Sequence, residues 1–460
     1  MTTRGVTLFA DTGFLSPGWA DTGAEHLLDD RAWLAAMVEV ELALARAQAK
    51  VGMVPPDVPG AIAAAVDMTQ FDWEGLVSGV RATGNPAVVF VSQLTKIVAA
   101  TDPRAADHVH RGSTSQDILD TATMLVTRRV LDRVHTDLSR VASTLAGLAG
   151  TYRDTVMAGR TLTQHAVPVT LGLKAAGWLN PVMDVLDRLD RLALPVSLGG
   201  AAGTLAAYQE FTDGDCLDLV EPFADELGLT APLVPWHSAR LPIVDIGTTL
   251  AAVTGVLGKI AADVEVLTRT EIGELAEPQA PGRGASSAMP QKRNPVYVTA
   301  ILTAARQVPQ LVSVLHQSMV VPDERSAGGW HAEWQPLREC LRLSAGAARN
   351  AADLTNGLCV FPERMLANLA LTGGAVVSER LSAVLTPLLG RSEAKALLTE
   401  AAFASADCPA ELPEILTKLL VSRGHEVPDV ADLCDSSAYL GASGPLVDRV
   451  LERYEEVNVR

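Results

Sequence analysis

The sequence predicts an all-α protein built around a central bundle of long helices, on three observations. Proline is missing over long spans, from Arg104 to Val167, Ile243 to Glu277 and Leu337 to Phe361, and proline is what breaks helix interiors. Apolar residues recur at spacings of three and four, while no period-two run rich in β-branched residues competes. Hydrophobic residues make up 48% of the chain but aromatics only 4%. The apolar content is therefore mostly Ala, Val and Leu, which suits closely packed helices better than sandwiches.

Taken in order, the 460 residues divide into three predicted helical domains, in line with about one domain per 150 residues. Residues 1–110 form the first. Within it, Pro55, Pro56, Pro59, Pro86 and Pro103 punctuate the stretch 52–103, which reads as short helices and loops. Residues 111–355 form the bundle. There Ile118, Leu119, Ala122, Leu125, Val126 and Val130 mark one helical stripe, and Ser113-x-x-Gln116 just ahead reads as a capping box. Val244, Thr248, Ala251, Ala252, Val256, Ile260, Val264 and Leu267 continue the pattern over more than 20 residues, or about 30 Å at ~1.5 Å per residue. Residues 356–460 form a shorter helical domain. No internal repeat or low-complexity segment is visible.

Charge and cysteine usage exclude several functions. The net charge is −17, from 37 Lys+Arg against 54 Asp+Glu, which argues against a nucleic-acid binder that must neutralise phosphates. It leaves room for a small anionic substrate, because a few cations can make a local positive pocket. Five cysteines, Cys216, Cys340, Cys359, Cys408 and Cys434, without a C-x-x-C pair, point away from a disulfide framework or zinc site and towards the cytoplasm. Met1–Asp11 has no apolar core of a signal peptide. The longest uncharged apolar stretch, Ile246–Gly258, has 13 residues where a bilayer span needs about 20, so no membrane segment is expected. Asp107-His108-Val109-His110 reads as a solvated helix end rather than a metal site. No metal and no cofactor are expected.

Two glycine-rich stretches interrupt the bundle. Leu198–Thr204 is not a G-x-G-x-x-G after a strand, so it reads as a tight turn or a close helix crossing. The second, Pro281–Pro295, holds two adjacent serines and then Lys292, Arg293 and Asn294 between prolines. It is either a solvated loop or a loop that closes over a substrate. In the latter a serine can act as a base, since positive charge and backbone donors stabilise its alkoxide.

The motifs then carry a resemblance. Gly284-Ala-Ser-Ser-Ala-Met-Pro-Gln-Lys-Arg-Asn-Pro295 resembles the signature loop of the fumarase/aspartase superfamily, usually GSSxMPxKxNP, with Ala285 inserted. His110–Asp117 (HRGSTSQD) is similar to the family's first motif and Met157–Pro168 (MAGRTLTQHAVP) to its second. Gly84-Asn85-Pro86, the run Leu171–Trp178, Pro235-Trp236-His237 and Asp323–Trp334 resemble the 3-carboxy-cis,cis-muconate cycloisomerase branch. Adenylosuccinate lyases typically carry histidine near Gly84–Pro86, and fumarases and argininosuccinate lyases carry it where this chain has Leu162.

The resemblance implies removal of a proton next to a carboxylate of a succinyl-type substrate, through an aci-carboxylate. It makes Ser286 the base, with Ser287 the less favoured neighbour. Lys292 and Asn294 hold a substrate carboxylate, and Thr114, Ser115 and Gln116 offer a helix N-terminus to an anion. His165 stands where adenylosuccinate lyases have a proposed general acid. Asn85 joins the substrate-binding set, as does Arg111, which is either a substrate cation or an ion-pair partner. Arg160 reads as an ion-pair partner, and Trp330 with Trp334, four apart, as packing.

The resemblance further implies a homotetramer with a 20-helix core and sites shared between subunits, acting on a small di- or tricarboxylate. Carboxymuconate cycloisomerisation is the first expectation. The alternative is β-elimination from a substituted succinate, releasing an amine or nitrite and leaving fumarate. A catalytically silent, crystallin-like protein is the reading from another class.

Overall fold

The computed structural model describes residues 13–407 and 412–458; Met1–Asp11 and Cys408, both used in the sequence reading, lie outside them. Helix accounts for 66% of the chain, so the expected all-α class holds. Those used below are α1 (Asp30–Lys50), α2 (Trp73–Thr83), α3 (Pro86–Thr101), α4 (Ser115–Thr151), α5 (Leu171–Asp190), α6 (Leu241–Leu267), α7 (Val296–Gln317), α8 (Gly329–Asn356) and, near the C-terminus, α9 (Ser378–Leu389), α10 (Arg391–Asp407) and α11 (Leu412–Ser422). The four described cysteines are free thiols.

The contacts group the chain into two compact units. The first comprises residues 1–137, 185–255 and 300–350, and the second 138–184, 256–299 and 351–460. The division falls inside α4, α5, α6, α7 and α8, each of which gives one segment to each unit.

Helical spacing located α4 correctly. Ile118, Leu119, Ala122, Leu125, Val126 and Val130 are all buried. On α6 the ends of the predicted stripe, Val244, Ile260, Val264 and Leu267, are buried, while its middle drifts off the seam. Thr248 is exposed and Ala251, Ala252 and Val256 half-buried, whereas Ile246, Leu250, Val253 and Leu257 fill the interior. Nearly every position of α6 is small or apolar, so composition could not separate its two faces. By length and composition α6 and α7 could each cross a bilayer, although α6 is half buried in the fold. Proline-free gaps missed two long helices, because α5 and α7 carry Pro181 and Pro309 inside them.

The second motif forms a hairpin, which an all-helical periodicity does not predict. Strands β1 (Val156–Thr161) and β2 (Gln164–Thr170) pair antiparallel, with an irregularity between Ala158 and Arg160. At Gly159 a Cβ would stand 2.5 Å from the Val167 carbonyl oxygen, so glycine permits the close approach. The two-residue turn, Leu162–Thr163, has positive φ at both positions, as hairpin geometry requires. Neither residue is glycine, asparagine or aspartate, so the turn carried no sequence signal. Val156 and Ala158 are buried against Leu369, Val377 and apolar residues of α9, α10 and α11.

The first unit is organised by a buried charge cluster. Arg240 donates Nη1 and Nη2 to Asp120 at 2.6 and 3.0 Å, and Nε and Nη2 to Glu333 at 3.0 and 2.7 Å. All three side chains are 2% exposed. Burial pushes the Glu333 carboxyl above its ordinary value although Arg240 pulls the other way. Trp330 Nε1 donates to Asp120 at 2.9 Å, and Trp330 packs edge-on against Trp334 at 5.0 Å, the packing that their spacing suggested. Removing one member strands the others in the interior. Arg240→Met is expected to cost about 3–5 kcal/mol, read as a lower urea midpoint by tryptophan fluorescence.

Candidate active site

In the first unit the site is built on the head of α4. The expected capping box does not form. Instead Asp117 takes the cap, its Oδ2 accepting from Thr114 N at 3.0 Å and Ser113 Oγ at 3.3 Å. The same carboxylate accepts from Gly199 N and Gly200 N at 2.8 and 3.0 Å and lies 2.7 Å from His237 Nε2. The glycine stretch 198–204 is thus the tight turn that the sequence suggested, with two amides wrapped round a carboxylate. The hydroxyls of Thr114 and Ser115 are half-buried and make no side-chain hydrogen bond among the described residues.

Gln116 has a different task from the one assigned to it. Its side chain is wholly buried; Nε2 donates to Asp120 and to the His237 carbonyl at 3.1 and 2.9 Å. Its Oε1 accepts from Arg325 Nε at 2.8 Å. Arg325 is exposed, and its two Nη groups have no carboxylate partner among the described residues. It is a cation fixed by one nitrogen with the other two free, the geometry that suits a bidentate anion. Arg325 lies within the Asp323–Trp334 motif, whose resemblance implies no role for it. Its partner lies 209 residues away, so no spacing could reveal the pair.

The remaining first-unit candidates lie on either side of this head. Asn85 caps α3, its Oδ1 accepting from Ala87 N at 2.9 Å. Arg111 stacks over Phe211 at 4.0 Å and sits 3.0 Å from His108 Nδ1; its Nε is buried without a partner. Burial and the Arg111 charge hold His108 below its usual pKa, so it stays neutral and accepts that bond. Of the two readings of Arg111, an ion pair has no counterpart among the described residues. His110 Nδ1 meets Glu41 Oε1 at 2.6 Å. Burial depresses the His110 pKa, but the bond to Glu41 and the charges of Glu41 and Asp117 outweigh it and raise the value.

The second unit carries the other candidates. Arg160 forms the ion pair expected of it, bidentate to the buried Glu274 at 2.6 and 3.0 Å. Asn368 Nδ2 adds a bond to the same carboxylate at 2.8 Å. His165 faces Arg160 across the hairpin, with Nδ1 buried and unpartnered. Burial, and then the Arg160 charge, lower its pKa, so the imidazole is neutral at neutral pH.

Ser286, Lys292 and Asn294 share one loop closed on itself. Asn294 N donates to Gly284 O at 2.8 Å, and the inserted Ala285 pairs with Arg293 in an isolated bridge. At the foot of the loop Glu277 accepts from Tyr297 N and Val298 N at the start of α7, at 3.3 and 2.8 Å. Ser286 Oγ accepts from Met289 N at 3.1 Å and Ala288 N at 3.4 Å. Two amides aimed at a serine oxygen favour its alkoxide. Lys292 is exposed and Asn294 half-buried; no ion pair neutralises Lys292 among the described residues.

A family model described as Lyase matches residues 18–310. The chain belongs to the fumarase/aspartase superfamily. Among its relatives in that superfamily, nitrosuccinate lyase of Streptomyces davaonensis is 55% identical, over 96% of this chain and 94% of that one. The 3-carboxy-cis,cis-muconate cycloisomerase of Bradyrhizobium diazoefficiens is 39% identical, over 96% and 98%. The crystal structure of the 3-carboxy-cis,cis-muconate lactonizing enzyme of Pseudomonas putida superposes with a TM-score of 0.88 at 36% identity, covering 96% of this chain and 99% of that one. The chain is accordingly a lyase of this superfamily, and the sequence resemblance named the right family.

Two outcomes are expected from the loop and the first motif. Gly284 has φ of +64°, and a Cβ there would lie 2.3 Å from Asn294 O. Gly284→Ala should therefore displace the loop and cut turnover by at least about tenfold, the effect of a 1.4 kcal/mol barrier, with an unchanged circular dichroism spectrum. The His110–Glu41 pair has a raised histidine pKa, so its stabilisation is complete below about pH 6.5 and is lost as pH rises through the folded value. Urea midpoints between pH 6 and 9 should fall more steeply for the native protein than for Glu41→Gln.

Proposed function

We propose that this protein is a C–N lyase that eliminates nitrite from a nitro-substituted succinate, leaving fumarate. The observation that carries the leaving group is the relative at 55% identity, against 39% for the cycloisomerase. This reverses the order in which the sequence placed the two reactions. The high structural similarity to a muconate lactonizing enzyme keeps cycloisomerisation as the second reading.

The chemistry follows from the loop. Ser286, as alkoxide, takes a proton from the carbon that does not bear the nitro group. The electron pair enters the neighbouring carboxylate, giving a dianionic aci-carboxylate that Lys292 and Asn294 are suited to hold. The pair then returns to form the carbon–carbon double bond as the C–N bond breaks, and nitrite leaves with the bonding electrons. The proton on the nitro-bearing carbon is more acidic, but removing it gives a nitronate and no elimination. Regiochemistry must therefore come from position. Arg325, with two free Nη groups, is suited to a substrate carboxylate or to the nitro oxygens, and Thr114, Ser115 and Arg111 offer further donors.

We place these groups in a cytoplasmic homotetramer whose sites draw on several subunits. The half-buried, uncharged stretch of α6 from Ala251 to Val256 supports such an assembly, because accessible apolar patches mark interaction surfaces.

The deciding experiment supplies nitrosuccinate and 3-carboxy-cis,cis-muconate to the purified protein. Equimolar fumarate and nitrite from the first, with no turnover of the second, is expected; consumption of carboxymuconate alone would replace the proposal. Inactivity on both, and on amine-bearing succinates, would favour the silent, crystallin-like reading. Ser286→Ala should lose about 10²- to 10⁴-fold in turnover while staying folded. Arg325→Ala should lose about 10- to 100-fold in kcat/KM, the worth of a charged hydrogen bond.

A further inference from the structure

The loop that carries Ser286, Lys292 and Asn294 leaves the second unit's framework at Glu277 and returns to it at Val296, the start of α7. Its outgoing foot is fixed by the backbone. Strands β3 (Leu275–Ala276) and β4 (Cys359–Val360) pair antiparallel, and Phe361 N donates to Glu274 O at 3.0 Å. Pro278 packs so closely on Gly357 that a Cβ there would stand 2.5 Å from the proline's own. The returning foot lacks a local cap. The residue before α7 is Pro295, whose side chain has no oxygen to accept from the first amides of the helix.

Two side chains join the feet. Glu277 accepts from Tyr297 N and Val298 N at 3.3 and 2.8 Å, so the cap that Pro295 cannot give comes from the other end of the loop. A carboxylate there also complements the positive end of the helix dipole. Burial pushes the Glu277 carboxyl above its ordinary value, against the pull of the α7 amides and of the Arg283 charge. Arg283 reaches both feet from within the loop. Its Nη1 donates to Pro278 O at 3.4 Å, and its guanidinium lies over the Tyr297 ring, 4.7 Å from the centre.

We propose that Glu277 and Arg283 are positioning residues, which clasp the two feet of the loop and so set where Ser286, Lys292 and Asn294 stand. A segment already pinned at both ends has less freedom to lose when its groups must be held in one place. Turnover is sensitive to such placement, since a shift of about 1 Å can cost 10²-fold. The effect of the clasp on turnover rests on the reading of Ser286 as the base, whereas its effect on the loop does not.

Trypsin tests the two separately, because it cuts after Arg283, Lys292 and Arg293, and cutting of a folded protein follows how often a segment opens. In the full chain carrying Glu277→Ala, cleavage after Lys292 and Arg293, followed by mass spectrometry, should be at least about tenfold faster, the worth of a hydrogen bond to a charged group. Cleavage outside the loop should keep its native rate, which a general loss of stability would not allow. Glu277→Gln retains an accepting oxygen and should restore most of the protection. Nitrite release from nitrosuccinate should fall about tenfold or more in Glu277→Ala and recover in Glu277→Gln. Arg283→Gln should speed cleavage at the same two bonds by a smaller factor, and it decides alone if Glu277→Ala does not fold. Native cleavage of the loop in these variants, or native turnover beside a loosened loop, would overturn the proposal. Faster loop cleavage in a protein whose native form leaves nitrosuccinate untouched would support the clasp and refute the proposed reaction instead.

Discussion

The first unit depends on two buried carboxylates three residues apart on α4, Asp117 and Asp120. A helix places such residues on one face, and burial makes each demand a full set of donors. Asp117 collects its donors from Ser113, Thr114, the glycine turn and His237. Asp120 collects its own from Gln116, Arg240 and Trp330. Segments more than 200 residues apart in sequence are thus fixed to one helical turn. Positioning of Thr114, Ser115 and, through Gln116, Arg325 follows from satisfying these two anions.

The same logic separates structural cations from those left for a ligand. Arg240 and Arg160 are held by buried carboxylates in bidentate geometry, and neither has charge to spare for a substrate. Arg325, Arg111 and Lys292 have no carboxylate partner among the described residues. Net charge could not have shown this. A chain at −17 has carboxylates in excess, and Arg325 is held by an amide oxygen instead of by one of them.

Much of this was legible in the sequence, for identifiable reasons. Helix class and the course of α4 could be read because Ile118, Leu119, Ala122, Leu125, Val126 and Val130 recur at spacings of three and four, although the polar residues between them, Asp120, Thr121, Thr123 and Thr127, are buried too. On α6 the ends of the seam, Val244 and Ile260 to Leu267, could be read, but not its middle, where Ile246–Gly258 carries no charge to mark a face. The candidate loop stood out because Ser286, Lys292 and Asn294 lie within nine positions in an unusual composition. Gln116 was misassigned, because position at a helix start suggests an anion site whereas its partners, Asp120, His237 and Arg325, come from folding. The role of Arg325 and the hairpin turn at Leu162–Thr163 were invisible for the same reason. Their meaning lies in contacts and dihedral angles, which residue type does not encode.

The state of His165 bears on which leaving group the site suits. An amine departs from carbon as a strong base and must gain a proton as it goes, so its enzyme needs a group that is protonated beforehand. Nitrite is the anion of a much stronger acid and leaves unaided. Burial and the adjacent Arg160 hold His165 neutral at neutral pH, the wrong state for a proton donor. Glu274 opposes this, but its charge is already engaged by Arg160 at 2.6 Å. A hairpin that keeps its histidine unprotonated suits expulsion of nitrite better than expulsion of an amine. In the reaction proposed above, proton abstraction then falls to Ser286, whose oxygen accepts from two amides.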